Sequence, residues 1–343
     1  MTEQKRVVKV SRPHDLIQAV PYLLGYRPHE QLVLLELRGP RRRLGTCAAV
    51  ELPPPQHLDA GLRPAVAALA RESADRALAV LYLRRVPSST GALPDRRVVR
   101  ALRELAAEHE IALEDVLAVW EDRWWSYLCR DPRCCPAAGN LMRVAATPAV
   151  VAALVAEGAA PAASRDALAG TLDPVTGVAA AAMRIAVGRA REQAVGPGPV
   201  TRAATVALVE QLLAGGASQP AVFADDDEAA TVLVGLTDLG ARDAALCLVT
   251  DSSEEGAALD VFRDLVRRAP MSLTAPVAVV LAWTAYLHGK GALANVSVDR
   301  ALAADPRYTM GLILREALDA GVHPRWLSLA VADLRDQVMP SAG

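Results

Sequence analysis

The sequence predicts an α/β N-terminal half, a mixed sheet with flanking helices, joined to an all-α C-terminal half. Up to about Asn140, apolar runs of strand length alternate with segments of helical period. Beyond it nearly every segment is Ala-rich and repeats at helical spacing. Aromatic residues make up 4% of a chain that is 52% hydrophobic, so the core must be mostly Ala, Val and Leu, as in closely packed helices. The expected division is an α/β domain over 1–145 and a helical domain over 146–343, with a possible linker at 194–200 that contains Gly196-Pro197-Gly198-Pro199.

Pro13 to Leu24 carries Leu16, Val20, Leu23 and Leu24 at helical spacing, with Gly25 placed as a C-terminal cap. Gln31 to Leu37 contains the apolar run Leu32-Val33-Leu34-Leu35, which suits a strand buried on both faces. Gly39-Pro40 turns the chain, and Leu44 to Leu52 reads as the returning strand of a hairpin. A helix over Leu58 to Arg71, a strand over Ala77 to Leu83 and a helix over Asp95 to His109 follow. Val116 to Trp120 and Trp124 to Leu128 flank Glu121-Asp122-Arg123, a further hairpin. Hairpins and crossovers together require a mixed sheet. In the second half, helices are expected at about 148–157, 164–172, 178–193, 201–213, 226–239, 259–268, 276–288, 292–303, 308–320 and 325–337.

The chain of 343 residues carries a net charge of -2, which gives no electrostatic footprint for nucleic acid. Lysine occurs only at Lys5, Lys9 and Lys290 while arginine is abundant, a mark of high-GC coding. No apolar stretch follows the basic start, and no apolar run reaches the length a bilayer needs, so a cytoplasmic protein without membrane contact is expected. The odd cysteine count argues against a disulfide framework.

The most concentrated chemistry lies in Arg123-Trp124-Trp125-Ser126-Tyr127-Leu128-Cys129 and the following Arg130-Asp131-Pro132-Arg133-Cys134-Cys135-Pro136. In a strand, Trp124, Ser126 and Leu128 share one face, and Trp125, Tyr127 and Cys129 the other. An exposed aromatic pair would mark a binding surface, a buried one an interdomain core. Arg123 is placed to stack on a neighbouring indole. Cys129, Cys134 and Cys135 lack the second pair of a usual zinc knuckle, and adjacent cysteine side chains are expected to diverge. No metal and no cofactor is therefore expected. Packing of a Pro-rich turn, with Cys129 ending a strand facing inward, is the first reading; a metal held by the three thiols and redox or nucleophilic use are the alternatives.

Asp225-Asp226-Asp227-Glu228 has the residue types of a helix N-terminus, and Asp251-Ser252-Ser253-Glu254-Glu255 those of a solvated turn opening a helix. Ser88-Ser89-Thr90-Gly91 follows a strand and could line a ligand crevice there. No dinucleotide fingerprint, Walker loop, zinc-protease or nucleophile-elbow motif occurs.

Leu281, Gly289, Ala294, Ala301 and Pro306 match the spacing of one tetratricopeptide unit, giving a tetratricopeptide-like hairpin over 276–306. Over the whole chain, Pro21-Tyr22-Leu23-Leu24-Gly25-Tyr26-Arg27-Pro28, the tryptophan–cysteine segment, and Gly291-Ala292-Leu293-Ala294-Asn295 with Asp305-Pro306 carry a further likeness. In these the sequence resembles the domain-of-unknown-function family 4192 of high-GC Gram-positive, actinobacterial, bacteria, from about Val10 to Trp326. The resemblance implies no activity and supplies no catalytic residue. The expected function is a non-catalytic binding or regulatory module acting through protein–protein contacts, with Arg123, Trp124, Trp125, Tyr127, Cys129, Cys134 and Cys135 as the binding candidates. The alternative is an enzyme or small-ligand-binding protein with a site at the sheet–helix junction around Arg123–Cys135, drawing also on Asp122 and Ser126.

Overall fold

The computed structural model describes residues 12–40, 42–87, 92–142, 147–156, 158–195, 201–214, 225–251 and 255–338. The chain forms two compact units, Met1–Arg165 with Asp319–Gly321, and Asp166–Leu318 with Val322–Gly343. The expected linker at Gly196-Pro197-Gly198-Pro199, the Ser88–Gly91 loop and 252–254 of the second acidic run lie outside the described residues.

The first unit is a six-stranded mixed sheet. α1 (Pro13–Leu24) ends at Gly25, whose left-handed backbone (φ 80°) lets its N–H reach the Pro21 carbonyl. β1 (Gln31–Arg38) and β2 (Arg43–Glu51) form the expected antiparallel hairpin. α2 (Leu58–Arg71) leads to β3 (Arg76–Tyr82), antiparallel to β1. α3 (Arg96–Glu108) crosses over to β4 (Ala112–Trp120), parallel to β3. β5 (Arg123–Ser126) returns antiparallel through a tight turn at Glu121, and the two-residue β6 (Asn140–Leu141) closes the order β2-β1-β3-β4-β5-β6.

Alternation along the central strands fills two layers. Leu32, Leu34, Ala79, Leu81 and Ala118 point to the side of α2 and α3. Val33, Leu35, Val80, Leu117 and Val119 point to the side of α1. α4 (Ala149–Ala156) packs Val150 and Val151 on Ala19 of α1. One buried charge interrupts β1: Glu36 accepts hydrogen bonds from Arg38 Nε (2.7 Å) and from the Thr46 N–H (2.7 Å) beside a register shift in the β1–β2 pair.

The second unit is helical throughout its described residues. It holds α5 (Arg165–Gly170, whose first residue falls in the first unit), α6 (Gly177–Val195), α7 (Arg202–Ala214) and α8 (Asp226–Gly235). α9 (Leu239–Asp251), α10 (Glu255–Arg268) and α11 (Met271–Leu287) come next. α12 (Gly291–Ala304), α13 (Thr309–Asp319) and α14 (Pro324–Val338) complete it. The expected helix over 226–239 is α8, which stops at Gly235, and α9, from Leu239 to Asp251, is a helix the sequence reading did not assign. α11 starts before the expected Pro276, whose ring lies inside the helix and forgoes the bond to the Ser272 carbonyl. Asp225 caps α8 as its residue type predicts, accepting from the Glu228 N–H at 2.8 Å.

α11 is buried from Leu273 through Ala285 and forms the axis of the unit. Its Trp283 indole donates to Thr250 Oγ1 of α9 at 2.9 Å. α11 and α12 make a tight hairpin turned by Gly289 (φ 70°), with Ala294 and Ala301 fully buried. No helix among the described residues is long and apolar enough to cross a membrane.

Candidate functional site

The tryptophan–cysteine segment runs through β5 into the loop that joins it to β6 at the edge of the sheet. Strand pairing sends adjacent indoles to opposite faces. Trp124 is 8% exposed and joins the layer of α1; Trp125 is 6% exposed and joins the layer of α2 and α3. The two rings therefore form no single exposed patch: each is buried within the first unit itself.

The strand ends at Ser126, sooner than the periodicity implied, so Cys129 lies beyond it and half-buried instead of ending a strand facing inward. Ser126 ends the strand because its hydroxyl turns the chain. Its Oγ accepts from the N–H groups of Leu128 (3.0 Å) and Cys129 (2.8 Å) and donates to Asp115 Oδ1 (2.6 Å). Burial raises the Asp115 carboxyl above its ordinary range, against the hydrogen bonds from Ser126 and the Val116 N–H.

Several groups tie down the rest of the loop. Arg123 does not stack on an indole; its guanidinium donates to the carbonyls of Ala138 (2.9 Å) and Gly139 (3.2 Å). Trp125 Nε1 donates to the Ala137 carbonyl at 3.1 Å, and Tyr127 Oη to the Pro94 carbonyl at 2.7 Å. Asn140 Nδ2 donates to the Cys134 carbonyl at 3.0 Å. Asp122 contributes only its backbone carbonyl, which accepts from the Met142 N–H at 2.7 Å. Gly139 has a left-handed backbone (φ 76°), and a Cβ there would run into the Trp125 indole.

The loop gathers the thiols. The N–H groups of Cys134 (3.0 Å) and Cys135 (2.8 Å) both donate to the Asp131 carbonyl, a turn that folds the adjacent cysteines to one side. Their sulfurs are 4.0 Å apart, and those of Cys129, Cys134 and Cys135 all lie within 4.8 Å of one another. The expected divergence of neighbouring cysteines does not occur. Hydrogen bonding with the Cys129 thiol pushes the Cys134 thiol up. Burial pushes Cys135 up to about 12, while a hydrogen bond from the Ser126 N–H to its sulfur acts the other way. Beside the thiols opens a cavity of about 190 Å³, bounded among others by Arg96, Tyr127, Cys129, Arg130 and Cys135.

Of the candidates, the structure places Tyr127, Cys129, Cys134 and Cys135 at or beside this cavity, makes Arg123 and Trp125 the supports of the loop, and sends Trp124 to the opposite layer. Sequence reasoning missed Arg96, which arrives from the start of α3, and Asp115, which anchors Ser126 from β4. The α3 crossover brings Arg96 there, while the β4–β5 hairpin brings Asp115 beside Ser126.

No curated protein and no solved structure matches the chain. A family does, over residues 13–325, and with nearly its full length accounted for, the chain belongs to the family described as domain of unknown function DUF4192.

Proposed function

We propose that the chain is a non-catalytic binding or regulatory protein that acts through contacts with another protein, made on its helical unit. The observation that carries this reading is a groove of about 390 Å³ beside the α11–α12 hairpin, lined among others by Leu239, Met271, Pro276, Ala304 and Tyr308. Leu239 and Met271 stand 62% and 60% exposed at its edge, a cost in water that a partner's apolar side chain would remove. Tyr308 is held in place by Arg242, which donates to its hydroxyl at 3.2 Å and lies 5.8 Å from its ring centre. Tyr and Met are among the residue types enriched at protein interfaces. Asp305 adds a carboxylate at the groove, so the partner segment is an apolar anchor flanked by a basic residue. A hairpin of tetratricopeptide-like spacing is a natural carrier of such a groove.

Selection from a displayed peptide library against the full chain tests this. Peptides with an apolar anchor beside Lys or Arg are expected, weakened at least about tenfold by Met271→Glu or Leu239→Glu. Binders indifferent to both changes, or no selectable binder, would overturn the reading.

A further inference from the structure

We propose that Cys129, Cys134 and Cys135 bind one zinc ion as a three-thiolate site whose fourth position is filled from solvent in the adjoining cavity. This inference is independent of the groove on the helical unit.

Geometry comes first. A zinc–sulfur bond is about 2.3 Å, so tetrahedral sulfurs sit about 3.8 Å apart. The Cys134 and Cys135 sulfurs are 4.0 Å apart, and no pair among the three exceeds 4.8 Å. Closing that gap needs rotamer adjustment and no rebuilding of the backbone, because the Asp131 carbonyl already fixes the turn. All three are free thiols.

The surroundings suit an anion-rich metal site. Three thiolates and one Zn²⁺ carry a net negative charge. Arg96 and Arg130 both line the cavity beside Cys129 and Cys135, where they offset it. The loop is clamped at several points by Arg123, Trp125 and Asn140, so little ordering remains to oppose binding. The cavity of about 190 Å³ has room for the water that completes the shell. Sulfur donors select a soft or borderline ion over Mg²⁺ or Ca²⁺. In the binding step three S–H groups lose their protons to solvent, three zinc–sulfur bonds form, and the ion sheds all but one of its waters.

The test uses the untagged full chain, reduced and stripped of metal, titrated with Co²⁺ and then Zn²⁺. One equivalent of Co²⁺ should give thiolate-to-cobalt absorption with the visible bands of a tetrahedral ion, all abolished by one equivalent of Zn²⁺. Cys134→Ser changes an exposed side chain and leaves the core intact; it should weaken Zn²⁺ at least about 100-fold, more than loss of an outer-shell partner costs. Cys129→Ser and Cys135→Ser should do the same, while Cys47→Ser and Cys247→Ser leave affinity unchanged. Added imidazole should shift the visible cobalt bands if the fourth ligand comes from solvent. Zinc affinity unaffected by Cys134→Ser, uptake of Cu(I) alone, or cobalt bands indifferent to imidazole would overturn the assignment.

Discussion

Gly139 shows how much one position can fix. Its backbone is left-handed and its Cα sits against the Trp125 indole, so a methyl group there is strained and also displaces the ring that holds Ala137. Gly139→Ala should destabilise the first unit by about 1–3 kcal/mol, read as a lowered urea midpoint in circular dichroism; an unchanged midpoint would mean the loop bears no load. Ser126 does comparable work with one hydroxyl, satisfying two loop N–H groups while donating to the half-buried Asp115 carboxylate. Ser126→Ala should cost about 1–3 kcal/mol, because the Leu128 and Cys129 N–H groups lose their acceptor and Asp115 loses one of its donors. Part of this was legible in the chain. The clustering of Trp and Cys marked the loop, and the alternation assigned the indoles to opposite faces. The meeting of the sulfurs was not legible, because it depends on a turn about the Asp131 carbonyl that residue spacing does not encode.

Elements were readable where a helix is buried on one side or a short strand is buried along its whole length. α1 and α2 end where their apolar periods end, and β1 reads as a run buried on both faces. α9 was not readable, because a helix covered on most sides loses its polar stripe and with it the period. The α11–α12 hairpin depends on small residues at its contact. Ala294 is fully buried, and Ala294→Leu should overpack the hairpin and cost about 1–3 kcal/mol; a melting midpoint equal to the parent's would show that the helices have room to spare.

At the scale of the whole chain, titration sets a window of stability. Burial pushes the Cys47 thiol up to about 12 and raises the Tyr82 hydroxyl as well. A thiol titrates near pH ~8.5 when unfolded, so the stability held by a neutral Cys47 is complete below that pH and drains away as pH rises toward about 12. On the acid side, burial alone would raise Glu36, but hydrogen bonds from Arg38 and Thr46 outweigh it and hold the carboxyl low. Its contribution is present above the unfolded value near ~4.3 and is lost as pH falls through the lowered one. Urea midpoints measured across pH should therefore form a plateau that declines at both ends, with Cys47→Ala flattening the alkaline decline; a decline unchanged in that variant would assign it to other groups. The neighbouring indoles of β5 carry a practical consequence. One side chain reports from each layer of the same sheet, so a protein with Phe at every other tryptophan position, and at Trp124 or Trp125 in turn, would let fluorescence follow loosening beneath α1 separately from loosening beneath α3.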